Sequence, residues 1–99
     1  MLYFSELKNK KIFTEDNIYV GKLKDMVFQA SEAPNITNLV SKSPKKELMI
    51  PMEYLKDINK EIIISKGFKI SALEENELFM TQNLLDNQII DITGDKLVR

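Results

Sequence analysis

The segment Ile18–Ala30, IYVGKLKDMVFQA, is the longest stretch of the chain that is typical of a β-strand. Its apolar positions hold β-branched and aromatic residues, which favour strands over helices. In an extended chain Leu23, Asp25 and Val27 fall on one side, and the residues between them fall on the other. The alternation is imperfect. It therefore predicts a long, bent strand with Gly21 at a bulge or at a close approach of another backbone.

Shorter strand-like segments surround this stretch, and turn signals separate them. The predicted strands are Lys11–Thr14, Ile36–Val40, Leu48–Ile50, Glu61–Ser65 and Gln88–Ile92. Asp16 and Asn17 indicate a turn, because Asp and Asn tolerate turn geometries. Pro51 ends the strand before it and begins one predicted helical turn. Five or more short strands alternating with turns in the first 70 residues are typical of a small barrel or sandwich.

Residues 71–86 carry a helical pattern instead. Ser71 and Glu74 match a capping box, in which each side chain satisfies an amide at the start of a helix. Glutamates occupy the first predicted turns, where the helix dipole favours anions. The apolar face of this segment is supplied by Leu73, Phe79, Met80, Leu84 and Leu85. We therefore predict one helix over Ser71–Asp86.

The end of the chain resembles its beginning. Leu7–Lys22 aligns weakly with Leu84–Arg99, and both segments read as strand, turn, strand. The second copy stops as its second strand begins, and a native chain rarely ends on a strand with unpaired edge groups. We expect residues 87–99 to start a second repeat or to complete the first barrel. We also expect the chain to be the beginning of a longer protein.

The composition excludes several kinds of chemistry. The 99 residues suit one domain, and they include no Cys and no His. Disulfides, thiolate metal sites, and the commonest general base and metal ligand are therefore excluded. Fourteen basic and fifteen acidic residues give a net charge of -1, so bulk charge gives no reason to expect nucleic acid or an anionic membrane as partner. Without an apolar run long enough for a membrane span, or a signal peptide, we expect a cytoplasmic protein that is not inserted in a membrane.

Several short motifs together resemble the PRC-barrel family. They are Leu7, the strand at Ile12 and Phe13, the Gly-Lys-Leu-Lys-Asp step at Gly21–Asp25, the Ile50-Pro51 step, and the apolar strand Glu61–Ser65. The resemblance covers Leu7–Ile64. Asn17 stands where the family usually has Gly, and Asn also tolerates a positive φ.

This resemblance implies a mainly β fold: a small PRC-type barrel of five to six short strands at residues 1–70, then the helix at 71–86. The family is an adaptor fold that docks proteins or RNA and carries no known catalytic set. The tail resembles the linker into a second PRC-type repeat, as in proteins related to bacterial magnesium transporters. We expect a non-enzymatic adaptor, without cofactor or metal, that binds a protein partner, a membrane transporter or a second copy of itself as a homodimer. The alternative is an RNA- or ribosome-associated module, similar to the C-terminal domain of a ribosome maturation factor.

The candidate site residues lie on the predicted helix. Leu78, Phe79 and Leu85 are the candidate partner contacts, because exposed apolar patches mark interfaces. Asp25 is a candidate functional carboxylate, but we favour a local structural role beside Lys22 and Lys24.

Two sets of charged residues each allow a functional interpretation and a simpler structural one. The acidic residues Glu74, Glu75, Glu77, Asp86 and Asp91 are possible magnesium ligands, but acidic residues are also favoured at a helix start. The lysines Lys8, Lys10, Lys11, Lys42, Lys45 and Lys46 are a candidate RNA patch, but a solvated loop explains them better in a chain of nearly neutral charge. In both cases we favour the simpler interpretation.

Overall fold

The computed structural model describes residues 2–30, 35–83, 89–91 and 96–98, and it shows a mainly β protein. The strands are β1 (Leu2–Tyr3), β2 (Lys11–Thr14), β3 (Tyr19–Gln29), β4 (Asn35–Lys42), β5 (Glu47–Pro51), β6 (Leu55–Ile58), β7 (Ile62–Ile64), β8 (Glu77–Phe79), β9 (Ile89–Asp91) and β10 (Lys96–Val98). The helices are α1 (Phe4–Leu7), the 3-10 helix Met52–Tyr54 and α2 (Met80–Asn83). Within the described ranges no helix has the length and apolar character needed to cross a membrane.

The long strand β3 organises the sheet. One of its edges pairs with β4 from Lys22 to Gln29, and its other edge is shared by β2 and β8. β5 extends the sheet beyond β4, while β7 pairs in parallel with β2 and then with β6. The predicted long strand and its neighbours are therefore confirmed, and β6 is an additional strand where the sequence indicated only a helical turn.

The turn between β2 and β3 forms as its residue types predict. Asn17 has a φ of 67°, in the left-handed region that Asn tolerates. The Thr14 hydroxyl bonds to the Asp16 carboxylate and also accepts the Ile18 amide at 3.1 Å. These side-chain bonds close the turn locally.

Gly21 lies at a close approach of two backbones, as predicted. A Cβ at this position would lie 2.8 Å from the carbonyl oxygen of Lys42 and closer still to the Ser41 hydroxyl. The β2–β3 register also shifts beside this residue, between Ile12 and Phe13. Any side chain at Gly21 would therefore push β3 away from β4.

The core lies on the inner face of the curved sheet. A second register shift, between Leu23 and Asp25, inserts an extra residue into β3. Because of this insertion, Leu23 shares the core with Met26 and Phe28, whereas the simple alternation placed it on the opposite side from them. The other buried core residues are Phe4, Leu7, Ile12, Ile36, Leu39, Ile50, Met52, Ile62, Ile64 and Met80.

The predicted helix over Ser71–Asp86 is wrong over its described part. Residues 71–76 are not helical, Glu77–Phe79 form β8, and only Met80–Asn83 are helical. β8 pairs with β3 over Val27–Gln29, so it satisfies backbone groups on an edge that β2 leaves open. This long-range pairing outweighs the local capping pattern. Residues 84–88 lie outside the described residues.

The start of a second repeat is not supported. Within the predicted tail segment, β9 pairs with β1 and β10, and β10 pairs with β4 at Asn35. These strands therefore extend the sheet of the first barrel, which provides unsatisfied strand edges close by. Residues 92–95 and 99 of this segment lie outside the described residues.

Candidate docking surface

An apolar row crosses the outer face of three neighbouring strands. On β7, Ile62 and Ile64 are buried in the core, so Ile63 between them points outward. Phe13 on β2 pairs in register with Ile63 on one side and with Tyr19 on the other. Residues paired in this way lie on the same face of a sheet. We call Tyr19, Phe13 and Ile63 the aromatic row.

The aromatic row is partly open to solvent, because Tyr19 is exposed while Phe13 and Ile63 are half-buried. The rings of Phe13 and Tyr19 meet edge to face, with centroids 5.4 Å apart and an interplanar angle of 61°. Tyr19 is 47% exposed, and the adjacent Ile18, at the end of the turn, is 60% exposed. Aromatic pairs of this geometry stabilise each other and hold their rings in a defined orientation. The row is thus a rigid apolar surface.

Three lysines form a second row on the same face. Lys11 pairs with Lys22, and Lys22 pairs in turn with Lys42. All three side chains are exposed. We call them the lysine row. It lies two residues along β2 from Phe13, a separation of about 7 Å.

Acidic groups lie at the ends of these rows. Lys42 pairs with Glu47, whose carboxylate forms a 2.9 Å ion pair with Lys24. Beyond Ile63 is a shallow depression of about 420 Å³, which Asp57, Asn59, Lys60 and Glu61 also line. The lysine row is therefore about three strands wide, and Glu47 lies directly beyond its Lys42 end.

Residues 71–81, which we call the outer strap, cover the rest of the outer face. The strap begins at the edge of β5, where the Ser71 amide donates to the Met49 carbonyl at 2.9 Å. It crosses Asn38 of β4, which accepts from the Ser71 hydroxyl at 2.7 Å and donates to the Glu77 carboxylate at 3.3 Å. It ends beyond β8 at Thr81. The aromatic and lysine rows lie on the half of this face that the strap leaves open.

Asp25 has a structural role, with one partner next to it in the sequence and another that is distant. It is only 6% exposed, and its carboxylate accepts from the Thr81 hydroxyl at 2.6 Å and the Thr81 amide at 3.1 Å. The expected local structural role is confirmed, because the same carboxylate also accepts the Met26 amide at 2.8 Å, but the expected pairing with Lys22 or Lys24 does not form. Lys24 instead binds Glu47.

Two of the candidate partner contacts, Leu78 and Phe79, lie on β8 and not on a helix. Leu78 pairs with Phe28 and is 38% exposed, whereas Phe79 pairs with Val27 and is half-buried. Successive residues of a strand point to opposite faces, so Leu78 and Phe79 do not share one surface. Leu85 lies outside the described residues.

Among the acidic residues of the strap, Glu77 bonds to the protein itself. The Glu77 carboxylate accepts the Glu74 amide at 2.9 Å, in addition to its bond from Asn38. Among the described residues no group of three or more acidic side chains is arranged to hold a metal ion. Asp91 lies in β9, and Asp86 lies outside the described residues.

The lysines considered for RNA binding do not converge. Lys45 and Lys46 lie exposed in the β4–β5 turn, and Lys10 donates to the Asn59 carbonyl at 2.7 Å. Only Lys11 and Lys42 of that set join the lysine row, and Lys22 connects them.

Among the described residues, Glu15 has a pKa that its surroundings clearly shift. The backbone amide of Lys66 donates to it at 3.0 Å, and this bond lowers the pKa of Glu15. Nearby Lys56 and Lys66 act in the same direction, while partial desolvation opposes them. The bond connects the β2–β3 turn to the end of β7.

The family model for the PRC-barrel domain matches residues 1–71. The chain belongs to the PRC-barrel domain family. The match contains both outer rows of this PRC-barrel domain and ends where the outer strap begins. No curated protein sequence matches the chain at a significant level.

Sequence reasoning missed the aromatic row, although a signal was present. Ile12 and Phe13 are consecutive apolar residues in a four-residue strand, and both cannot face the core. One residue of such a pair therefore points away from the core. Either another segment covers it, or it is exposed and can bind a partner. The sequence alone does not give the pairing that places Phe13 between Tyr19 and Ile63.

Proposed function

We propose that this PRC-barrel domain is a non-catalytic docking module that binds a protein partner. The observation that supports this proposal is the exposed aromatic row. An antiparallel sheet with one solvated face usually carries polar residues on that face. Here three apolar side chains stand in register across three strands instead.

The residue types of the row suit protein recognition. Tyr and Phe are enriched at interfaces because they bury a large area with few rotatable bonds. Phe13 holds the Tyr19 ring in place, so a partner would lose little side-chain entropy there on binding. Contiguous exposed apolar surface is the common mark of such a site.

The finer parts of the proposal rest on the sequence. They are a cytoplasmic location, homodimer formation, and a place within a magnesium-transporter-related protein. The support for the last is the resemblance of the tail to a linker between PRC-type repeats. Leu78, Phe79 and Leu85 remain predicted partner contacts, although Leu78 and Phe79 lie on opposite faces of β8; Leu78 is 38% exposed.

The test introduces the same negative charge at two exposed apolar positions, one inside the aromatic row and one outside both rows. Tyr19→Glu places a carboxylate in the aromatic row, and Ile70→Glu makes a similar change at a residue that is 62% exposed outside both rows. We expect wild type and Ile70→Glu to self-associate, or to retain the same cellular proteins on a resin, and Tyr19→Glu to lose this binding. Sedimentation equilibrium measures self-association, and quantitative mass spectrometry measures which cellular proteins the resin retains. Equal behaviour of all three proteins would contradict the proposal.

Binding of single-stranded RNA is the second candidate. The observation that favours it is the lysine row beside aromatic side chains, a combination that binds bases and phosphates in other folds. Glu47 and the carboxylates near Ile63 weigh against it, because they would repel an extended phosphate backbone. A steep decrease of RNA affinity with salt would support this candidate.

A further inference from the structure

The lysine row has an energetic cost in the isolated protein. Like charges directly opposite each other on neighbouring strands are destabilising, and here two such pairs share Lys22. Lys11, Lys22 and Lys42 form no ion pair with any other described residue. At one end of the row Lys42 pairs with Glu47, whose carboxylate is already bound to Lys24. An anionic group placed over Lys22 would relieve this repulsion.

The two rows form one composite surface. Both run across the strands in register, and both include β2 and β3. A ligand that lies across these strands therefore contacts apolar rings along one side and ammonium groups along the other. Its chemistry has to combine negative charge with a large apolar side chain.

The extent of the positive charge limits the size of the ligand. Three adjacent strands span about 10 Å, which corresponds to three or four residues of an extended peptide. In an extended peptide, alternate side chains lie on one face about 7 Å apart, within the reach of flexible lysines on neighbouring strands. A longer polyanion would meet Glu47 beyond Lys42.

We infer that the aromatic and lysine rows together bind a short acidic segment of a partner protein, with carboxylates on Lys11, Lys22 and Lys42 and an aromatic or large aliphatic side chain on Tyr19 and Phe13. This inference rests on the proposed docking function, and it specifies the chemistry of the partner. Charge complementarity selects an acidic segment, and the aromatic row excludes recognition by charge alone.

The test uses defined peptides and fluorescence anisotropy at low and physiological salt. The probe is a labelled peptide of four Glu-Tyr repeats. The comparison ligands are four Glu-Ser repeats, four Lys-Tyr repeats and an eight-nucleotide oligouridylate. We expect Glu-Tyr to bind most tightly, Glu-Ser roughly tenfold more weakly, equivalent to about 1.4 kcal/mol, and Lys-Tyr not to bind.

Matched lysine variants identify the site. Lys22→Glu reverses the central charge of the row, and Lys69→Glu makes the same change at an exposed position outside it. We expect Lys22→Glu to weaken Glu-Tyr binding about tenfold or more, and Lys69→Glu to stay within about twofold of wild type. Lys22→Glu should fold normally, because it removes two like-charge contacts.

Several outcomes would overturn the inference. They are equal effects of the two lysine variants, equal binding of Glu-Tyr and Glu-Ser, no Glu-Tyr binding, and tighter binding of oligouridylate than of Glu-Tyr. If any of these occurs while Tyr19→Glu still loses its protein partner, the docking function stands and the acidic chemistry of the partner is wrong. If Tyr19→Glu retains every partner, the docking function itself fails.

Discussion

The carboxylate of Asp25 accepts two hydrogen bonds from Thr81, a residue 56 positions later in the chain. One comes from the Thr81 backbone amide and the other from its hydroxyl. Because Asp25 is buried on the outer side of β3, this contact fixes the end of the outer strap to the sheet. The strap thereby covers half of the outer face and leaves the two rows open.

Removal of the Asp25 carboxylate should loosen the strap. We expect Asp25→Ala to lower the free energy of unfolding by about 2–3 kcal/mol, because the carboxylate loses two bonds from Thr81 and one from the Met26 amide. Thr81→Val, which removes only the hydroxyl bond, should cost about 1 kcal/mol. Urea unfolding measures both, with Glu53→Ala as the exposed acidic control. Equal stability of Asp25→Ala and Glu53→Ala would contradict the assignment.

The close approach at Gly21 predicts a contrast between two glycines. Gly21→Ala should destabilise the protein by at least about 2 kcal/mol, because its Cβ would meet the Lys42 carbonyl oxygen and force β3 from β4. Gly67→Ala has no atom within 4 Å of the new Cβ, and we expect a change within about 0.5 kcal/mol. Thermal unfolding of both variants checks this. A neutral Gly21→Ala would show that the two strands separate without cost.

The Ser41 hydroxyl is buried and has no hydrogen-bond partner in the described part of the chain. An unsatisfied buried polar group is costly, so Ser41→Ala should raise the free energy of unfolding by about 1 kcal/mol. Ser43→Ala is the control, because the Ser43 hydroxyl bonds to Lys46 in the exposed turn and its removal should bring no gain. Chemical denaturation measures the free energy of unfolding of both variants. A loss of stability in Ser41→Ala would indicate that its hydroxyl is satisfied.

The lowered pKa of Glu15 predicts that part of the free energy of unfolding is lost in acid. Since its pKa is lowered in the folded state by the Lys66 amide, the ionised form stabilises the fold. This contribution is fully present above the pKa of Glu15 in the unfolded chain, about 4.3. It is lost as the pH falls through the lower pKa that Glu15 has in the folded protein. Glu15→Gln should therefore lose less stability than wild type between pH 6 and pH 3 (roughly the carboxyl titration range). Unfolding at both pH values tests this, with Glu53→Gln as control; parallel losses in wild type and Glu15→Gln would contradict it.

The strands of the barrel could be predicted where local pattern and turn chemistry agree. Lys11–Thr14 and the turn at Asn17 form as expected, and Gly21 lies at the predicted close approach. The family resemblance, which used these same motifs, is confirmed by the family match over residues 1–71.

Predictions failed where distant residues determine the structure. The Ser71–Asp86 segment has a capping pattern, but the open edge of β3 pairs with residues 77–79. The extra residue in β3, Lys24, changes which side chains of this strand reach the core, and a single sequence does not reveal such a bulge. The aromatic row also could not be predicted from a single sequence, because it depends on the register of β2 with β3 and β7.

The parallel pairing of β2 with β7 has a consequence for folding during synthesis. Ile12 meets Ile62, fifty positions later in the chain, so β2 cannot complete its pairs until β7 has left the ribosome. Contacts of such sequence separation slow folding, because a long loop closes before the contact forms. Until then Phe13 and Ile12 remain together on an incompletely paired strand. The early translation intermediate therefore presents the apolar side chains that the finished domain divides between its core and its outer face.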